Sequence, residues 1–320
     1  MTAQATAAGR LRKIVALCGG VGGAKLAYGL NRLLGEKLTL VINTGDDFEH
    51  LGFWISPDID TVVYTLGGLS DDERGWGRAG ESWNFIEALG GLGGETWFRL
   101  GDRDLATHVQ RTLALRAGRT LTEFTRQMAK QVGIAATLLP MTDARFSTMV
   151  VTPEGRLPFQ RYFVEQQSRP VVRRIEFEHA DDVKASAEAL RALQAPDLDA
   201  IIVCPSNPYL SVDPILRVPG ILAALESVSA PVIAVSPLIG GQAVKGPTAK
   251  IMQELGVPTS AASIALHYPF LSGLVIDRLD EAQAARLKIP AHVTNTLMRS
   301  KDDRVNLAAE CLDFIARLKK

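Results

Sequence analysis

The sequence of 320 residues lacks an excess of charge of either sign, because 35 Lys and Arg balance 35 Asp and Glu. Without net charge or a Lys/Arg run, the chain has no electrostatic reason to bind nucleic acid or an acidic membrane. It also lacks the roughly 18 consecutive apolar residues of a membrane span, and segment 1–10 lacks the apolar region of a signal peptide. We therefore predict a cytoplasmic protein without nucleic-acid or membrane partners, in which 1–10 is disordered.

Cysteine is scarce, and its distribution excludes the usual zinc and disulfide patterns. Cys18, Cys204 and Cys311 are isolated, with no CxxC pair and no zinc-ligand spacing. We expect all three to be small buried residues in a reducing compartment. The 5 histidines show no ligand spacing either, and only His50, which lies beside an acidic segment, is a candidate for a role in a site.

What the sequence does contain is a strand, glycine turn, helix and strand in succession. The apolar runs 13–18 and 38–43 predict buried strands, 19–23 predicts the turn, and the leucine spacing over 24–34 predicts a helix. A right-handed crossover would make the two strands parallel. The pattern returns later in the chain, with strands predicted at 200–204, 231–235 and 274–276, and a closing helix at 306–318.

Between these two groups lies a segment of different composition. Segment 70–101 is rich in Gly, Trp and charge and predicts loop and short helix, and 59–66 predicts a helix or a strand. Further elements are predicted as helices at 105–118, 121–132 (with Thr120 as N-cap) and 181–193, and as strands at 147–151 and 160–163. The predicted fold class is α/β, with a Rossmann-like parallel sheet core and a mostly helical insertion. We assign one domain to 11–320, with the core in 11–69 and 196–320 and the insertion in 70–195.

The glycine segment is the first candidate site. Gly19, Gly20, Gly22 and Gly23, followed by Lys25, lie between a strand and a helix. Glycines allow the backbone to approach a phosphate, and a helix N-terminus supplies free N–H groups and a positive dipole end. The segment lacks the Gly-Lys-Ser/Thr of a Walker A loop and the acidic residue of the dinucleotide fingerprint. It therefore predicts a phosphate site, and a tight turn without a ligand stays the alternative.

Four aspartates form the second candidate site. Asp46 and Asp47 follow Thr44 at the end of the second strand, and Asp58 and Asp60 come soon after. Carboxylates so close in sequence repel one another unless a proton or a cation intervenes, and Mg²⁺ commonly bridges carboxylates to substrate phosphates. One of them could also act as general base on a hydroxyl. The alternatives are helix capping by Asp58 or Asp60 and a solvated loop at 46–47.

Two further segments could extend the same crevice. Segment 75–84 combines glycines and tryptophans with Arg78 and Asn84, which suits a flat heteroaromatic ligand, although a packed loop is an equal alternative. Ser206, Asn207 and Ser236 follow two predicted strands and could bind a base, ribose or phosphate. Lys245 lies just beyond and could add positive charge.

In their order along the chain, these motifs resemble the 2-phospho-L-lactate transferase family from about Lys13 to the C-terminus. The most distinctive part is Gly-Asp-Asp at 45–47 followed by Ser-Pro-Asp-Ile-Asp-Thr at 56–61. The resemblance implies a Rossmann-like homodimer that transfers a phosphorylated three-carbon acid from a guanosine-diphosphate-linked donor. The acceptor would be the ribityl hydroxyl of the deazaflavin Fo, GMP would be released, and the product would be a form of coenzyme F-420 without its glutamate tail.

The resemblance also implies roles for the residues. The glycines and Asn207 would hold the nucleotide diphosphate and its base, and 75–84 would help hold Fo. Asp46 and Asp60 would hold Mg²⁺, with Asp47 or Asp58 assisting, so that Asp46, Asp47 and Asp60 carry the chemistry. The transferred acid could be phospholactyl, phosphoenolpyruvyl or phosphoglyceryl. Two other interpretations are a regulator that binds a nucleotide sugar and, with less support, a nicotinamide dehydrogenase.

Overall fold

A seven-stranded parallel sheet forms the centre of the fold in a computed structural model that describes residues 11–244 and 246–319. Four of its strands are buried along their length, as is typical of a sheet covered on both faces. The strands of the chain, in order, are β1 Ile14–Cys18, β2 Leu38–Ile42, β3 Phe48–His50, β4 Phe53–Ile55, β5 Thr137–Pro140, β6 Ser147–Thr152, β7 Gly155–Pro158, β8 Arg174–Glu178, β9 Ala200–Val203, β10 Val232–Val235, β11 Leu238–Ile239, β12 Gln242–Ala243, β13 Gly273–Asp277 and β14 Ala291–Thr294.

The strand order of the central sheet creates a crevice beside β1. The order is β14-β13-β10-β9-β1-β2-β5, and all six neighbouring pairs are parallel. The chain moves outward from β1 through β2 to β5, then returns to β9 on the other side of β1. Ile14 therefore pairs with Leu38 of one neighbour and Ala200 of the other. Open parallel sheets bind ligands at such a reversal, at the carboxyl ends of the strands.

Helices cover both faces of the sheet. They are α1 Gly20–Leu34, α2 Pro57–Leu66, α3 Asn84–Gly91, α4 Asp102–Arg116, α5 Leu121–Gln131, α6 Ala187–Leu193, α7 Asp213–Arg217, α8 Ile221–Ser227, α9 Thr248–Glu254, α10 Ala261–His267 and α11 Lys301–Leu318. Alternate residues of β1 enter two separate cores, since successive side chains of a strand point to opposite faces. Ile14 packs in the core with α1, α2, α5 and α11, and Val15 packs in the core with α6, α8 and α10.

The fold class is confirmed, and the predicted core strands are present. Several local predictions were wrong, however. Helix α1 begins at Gly20, one turn before the predicted start. For 59–66, where a helix or a strand was predicted, the helix is correct. Segment 160–163 is not a strand, because Arg161–Glu165 forms a π-helical turn that buries Tyr162. The helix predicted over 181–193 begins only at Ala187, where Ser186 caps it by accepting a hydrogen bond from the Ala189 N–H.

Segment 70–195, which was predicted as an insertion, contributes to the central sheet as well as to the helical layer. It contains α3 to α6 and a three-stranded antiparallel sheet in the order β7-β6-β8, and its strand β5 pairs with β2. Thr120 caps α5 as predicted, in a capping box with Glu123. Residues 1–10 and Lys245 lie outside the described residues. Within the described ranges, no helix is both long and apolar enough to span a membrane.

Candidate active site

The start of α1 forms one wall of a cavity of about 640 Å³ at the crevice. Gly20 has φ +65°, a conformation that favours glycine. Gly22 and Gly23 permit close packing, because a Cβ on Gly22 would collide with the Pro205 carbonyl and one on Gly23 would lie 2.6 Å from Ser206 Oγ. The predicted glycines are therefore required by local geometry, whether or not a ligand is bound.

The first two amides of the glycine segment already have protein partners. The Gly19 N–H donates to Ser206 Oγ at 3.2 Å, and the Gly20 N–H donates to Asp58 Oδ1 at 2.8 Å. Val21 and Gly22 follow in the first turn of α1, where an α-helix leaves its amides without an internal partner, and both residues line the cavity. A phosphate at this helix start would therefore meet the amides of Val21 and Gly22 rather than those of Gly19 and Gly20.

Asp58 serves as the side-chain cap of α1. Besides the Gly20 N–H, it accepts a hydrogen bond from Asn43 Nδ2 at 2.9 Å. The capping alternative is thus correct for Asp58, although it caps α1 and not its own helix. Burial raises the pKa of Asp58 to about 6, against the lowering effect of the bonds from Asn43 and Gly20.

Asp47 is held away from the cavity by the hairpin of β3 and β4. Its Oδ2 accepts hydrogen bonds from Ser56 Oγ at 2.6 Å and from Trp54 Nε1 at 3.3 Å. The preceding Thr44 is also buried, with 2% of its surface exposed. Both residues support the loop that carries Asp46, and neither is among the residues that line the cavity.

Asp46 and Asp60 both line the cavity, as predicted for the pair. Burial raises the pKa of Asp46 well above its usual range, and the Asp58 carboxylate raises it further. Burial also raises the pKa of Asp60, while Arg111 lowers it. Among the described residues, Asp46 Oδ1, Asp47 Oδ1 and Asp60 Oδ2 are buried oxygens without a hydrogen-bond partner. Buried carboxylates of this kind are costly unless a proton or a cation satisfies them, and a hard divalent cation with oxygen ligands does so.

Three residues of α4 that lie behind Asp60 were not predicted from the sequence. Asp104, His108 and Arg111 occupy one face of the helix, since they are four and three residues apart. Arg111 has 0% of its surface exposed and forms an ion pair with Asp60 Oδ1. The spacing was visible in the sequence, but nothing in the sequence indicated that this face would meet the Asp60 segment.

The loop predicted as an aromatic platform lies at the cavity, but with different polar residues from those predicted. Trp76 lines the cavity, and its ring centroid lies 6.3 Å from that of Trp83. The Arg74 guanidinium lies 5.0 Å from the Trp76 centroid, and Arg99 stacks on Trp83 at 4.5 Å. Arg74 and Arg99 both line the cavity. A second aromatic wall consists of the cavity-lining residues Trp97, Phe98, Phe159 and Phe163.

The two predicted polar residues of that loop have structural contacts. The Arg78 guanidinium stacks over the Tyr64 ring at 5.3 Å, and its Nη1 donates to the Arg103 carbonyl at 3.4 Å. Asn84 is exposed and donates to Asp102 Oδ2 at 3.0 Å, where it begins α3. Because neither is among the cavity-lining residues, Arg74 and Arg99 are better placed to contact a ligand.

The residues predicted beyond β9 and β10 do reach the cavity. Ser206, Asn207 and Ser236 line it together with Lys25, whose Nζ donates to the Met298 carbonyl at 3.0 Å. Asn207 Oδ1 caps the following turn by accepting from two backbone N–H groups at 3.0 and 3.1 Å. Its Nδ2 is buried and has no hydrogen-bond partner in the described ranges, so this donor remains for a ligand.

Comparison with known proteins gives one consistent result. Residues 14–311 match the family of 2-phospho-L-lactate transferase CofD. A phosphoenolpyruvate transferase from Kitasatospora aureofaciens is 39% identical over 285 residues, covering 86% of this chain and 88% of that protein. A phosphoenolpyruvate transferase from Mycolicibacterium smegmatis is 37% identical over 302 residues, covering 87% of this chain and 92% of that protein. A solved UPF0052-family structure from Bacillus halodurans shares the fold, with TM-score 0.60 at 17% identity, covering 95% of this chain and 99% of that one.

The fold and the cavity define an α/β protein suited to a phosphorylated ligand at the reversal point of a parallel sheet. The family match covers nearly the whole chain, so the chain belongs to the 2-phospho-L-lactate transferase family and is a transferase of coenzyme F-420 biosynthesis. The resemblance seen in the sequence is thereby confirmed.

Proposed function

We propose that the chain transfers a phosphoenolpyruvyl group from a guanosine-diphosphate-linked donor to the ribityl hydroxyl of Fo and releases GMP. Family membership supports a donor and an acceptor of these classes. Among the three candidate acids we choose phosphoenolpyruvate, because the similar proteins from Kitasatospora aureofaciens and Mycolicibacterium smegmatis are both phosphoenolpyruvate transferases. A cytoplasmic location and a homodimer stay predictions of the sequence.

The observation that carries this proposal is the position of buried carboxylates and the start of α1 in one cavity. The Fo hydroxyl oxygen would attack the phosphorus that bears the three-carbon acid, while the bond from that phosphorus to the GMP oxygen breaks. GMP leaves with the bonding electrons, and a carboxylate takes the hydroxyl proton. Such a transfer needs charge neutralisation and alignment far more than covalent help from the protein.

Each part of the cavity has a role in this proposal. The amides of Val21 and Gly22 would hold the diphosphate, and Asn207 Nδ2 would donate to the nucleotide. Asp46 and Asp60 would hold Mg²⁺, which would neutralise phosphate charge during the transfer. Their unpartnered buried oxygens support this assignment. The aromatic walls around Trp76 and Trp97 would receive the flat ring of Fo.

The test is mass spectrometry of the product that forms from Fo, Mg²⁺ and each of three guanosine-diphosphate donors. We expect the phosphoenolpyruvyl donor to give the dehydro form of F-420 without glutamate, together with GMP. Asp46→Asn and Asp60→Asn should lower the rate by at least about a hundredfold, since each would remove a carboxylate that holds the Mg²⁺ against the reacting phosphates.

Asp302→Asn is the matched control, because Asp302 is an exposed residue of α11 outside the cavity lining, and its activity should equal that of the native chain. If product forms from one of the other two donors instead, the transferred acid is the one that this donor carries and not phosphoenolpyruvate. Absence of product with all three donors would overturn the proposed reaction.

A further inference from the structure

Three polar residues of α4, of which His108 and Arg111 are buried and Asp104 is partly buried, have no role in the reaction as proposed, yet they lie directly behind Asp60. Asp104, His108 and Arg111 face the start of α2, and Asp104 and His108 also line the cavity. His108 has 1% and Arg111 0% of its surface exposed. Polar side chains buried to this extent are retained only where they make specific hydrogen bonds.

Arg111 determines which oxygen of Asp60 remains available. Its Nη2 donates to Asp60 Oδ1 in a buried ion pair. Its Nη1 lies 3.3 Å from the Trp54 carbonyl and 3.2 Å from His108 Nδ1. The guanidinium is thus held between the hairpin of β3 and β4 and its own helix, and it leaves Asp60 Oδ2 as the buried oxygen without a hydrogen-bond partner in the described part of the chain.

The contact with Arg111 also determines the tautomer of His108. A guanidinium has only donors, so Nδ1 of a neutral ring must accept from it, and the ring hydrogen is on Nε2. Nε2 faces Asp104 Oδ2 at 3.3 Å. Asp104 Oδ1 accepts a hydrogen bond from the Tyr64 hydroxyl at 2.7 Å. The hydrogen-bonded connection therefore runs from His108 through Arg111 to Asp60, and Asp104 lies in contact with the other side of the His108 ring.

The same groups do not suit a separate metal site. Ligand atoms of Asp60, Asp104 and His108 lie within 4.8 Å of one another, which is close enough to hold an ion. Arg111, however, already occupies Asp60 Oδ1 and His108 Nδ1. These residues are therefore better placed to support Asp60 as a metal ligand than to bind a separate ion themselves.

We propose that Arg111 and His108 are positioning residues, which orient Asp60 so that its Oδ2 is presented to the divalent cation. The proposal rests on the function proposed above, in which Asp60 holds that cation. Arg111 acts on Asp60 directly, and His108 acts by fixing the orientation of the Arg111 guanidinium. Outer partners of metal ligands typically change metal affinity or activity by about 10- to 100-fold when they are removed.

The primary test measures Mn²⁺ binding to the purified full chain by electron paramagnetic resonance, without Fo or nucleotide. We expect Arg111→Gln to weaken Mn²⁺ binding at least about tenfold, with a smaller loss for Arg111→Lys, which retains the charge. Arg116→Gln is the matched control, since Arg116 lies on the same helix and donates to the Gly52 carbonyl of the same hairpin at 3.0 Å. Its Mn²⁺ affinity should stay within about twofold of the native value. An unchanged affinity in folded Arg111→Gln and Arg111→Lys would overturn the proposal.

Two substitutions of His108 separate its two contacts. His108→Asn keeps an oxygen acceptor near the position of Nδ1 and so retains the contact with Arg111. His108→Gln places its amide near the position of Nε2 and so retains only the contact with Asp104. We expect His108→Asn to bind Mn²⁺ more tightly than His108→Gln; equal affinities or the reverse order would remove His108 from the proposal. If thermal unfolding shows that Arg111→Gln does not fold, the comparison of His108→Asn with His108→Gln still tests the proposal.

Kinetics provide a further readout that distinguishes this proposal from the proposed function. In each weakened variant, the Mg²⁺ concentration for half-maximal activity should rise while the KM for Fo stays near the native value. A raised KM for Fo with unchanged Mg²⁺ dependence would contradict a positioning role. If the native chain gives no product with any donor, the proposed reaction fails, yet the Mn²⁺ affinities still decide the roles of Arg111 and His108.

Discussion

At the scale of single residues, Asp58 differs most from its predicted role. The sequence suggested that it assists Mg²⁺, but its carboxylate is engaged by the Gly20 N–H and by Asn43 Nδ2. Its neighbour Asp60 belongs to the same helical turn, yet it is paired with Arg111. Two carboxylates that are indistinguishable in sequence therefore differ in chemistry, because each meets a partner that is distant in the chain.

Asp58→Asn should change the pH dependence of stability in a defined direction. Burial raises the pKa of Asp58 from its ordinary value of 3.8 to about 6, so the folded state binds this proton more tightly than the unfolded chain. The stability from that proton is fully present below pH 3.8 and is lost as pH rises through about 6. Asn cannot ionise, so the free energy of unfolding of the variant relative to the native chain should increase by up to about 3 kcal/mol between about pH 4 and pH 7.5.

Urea unfolding without divalent cations, at a series of pH values, measures this difference. Asp302→Asn provides the comparison, because Asp302 is exposed and lies outside the cavity lining. A flat difference for Asp58→Asn would show that the buried carboxyl does not retain its proton in the folded state.

At the scale of elements, the sequence predicted the sheet well because burial on both faces leaves continuous apolar strands. Runs such as Ile14–Cys18 and Ala200–Val203 are short, rich in β-branched residues and ended by glycine or proline, which favours a strand over a helix. Edge strand β5 was missed because Thr137 is exposed and Pro140 ends the strand, so the apolar run is short. Segment 160–163 has a buried Tyr162 between more exposed neighbours, which imitates the alternation of a strand.

The candidate site was predictable only where consecutive residues carry it. The glycine segment and the aspartates each form a local motif, and both reach the cavity. The partners that give the aspartates their different roles come from other elements: Arg111 and His108 from α4, and Gly20 from α1. Contacts between elements that are distant in sequence depend on packing, and no spacing rule within one motif encodes them.

The close approach of α1 to the loop after β9 gives a prediction at this scale. Ala is normally better than Gly in a helix by about 1 kcal/mol. In Gly22→Ala, however, the new Cβ would collide with the backbone carbonyl of Pro205. We expect the free energy of unfolding to fall by about 1–3 kcal/mol, and we expect transfer activity to fall because the amides of Val21 and Gly22 must shift.

Gly91→Ala in α3 is the matched control, since a Cβ on Gly91 would have no atom within 4 Å. Urea unfolding of this variant should show unchanged or slightly increased stability. If Gly22→Ala proves as stable and as active as Gly91→Ala, the helix start does not depend on its contact with Pro205.

At the scale of the whole molecule, the cavity joins parts of the chain that the sequence analysis assigned to separate units. Asp46 follows β2 in the predicted core, Asp104 lies on α4 in the predicted insertion, and Ser206 follows β9 after the chain returns to the sheet. A ligand that fills this cavity would contact all three regions at once. Binding should therefore stabilise the fold as a whole, because it favours the folded state by mass action.

Thermal unfolding should reveal this coupling and identify the nucleotide. At a hundredfold excess over its Kd, a ligand adds about 2.7 kcal/mol to stability, which for a chain of this size corresponds to a Tm increase of a few degrees. We expect GDP with Mg²⁺ to produce this increase and UDP with Mg²⁺ at the same concentration to produce little. Asp46→Asn should lose most of the response, because its uncharged amide cannot replace the carboxylate beside the cation and the diphosphate. A larger increase with UDP than with GDP would instead favour the regulator that binds a uridine nucleotide sugar, since the cavity would then be selecting the other base.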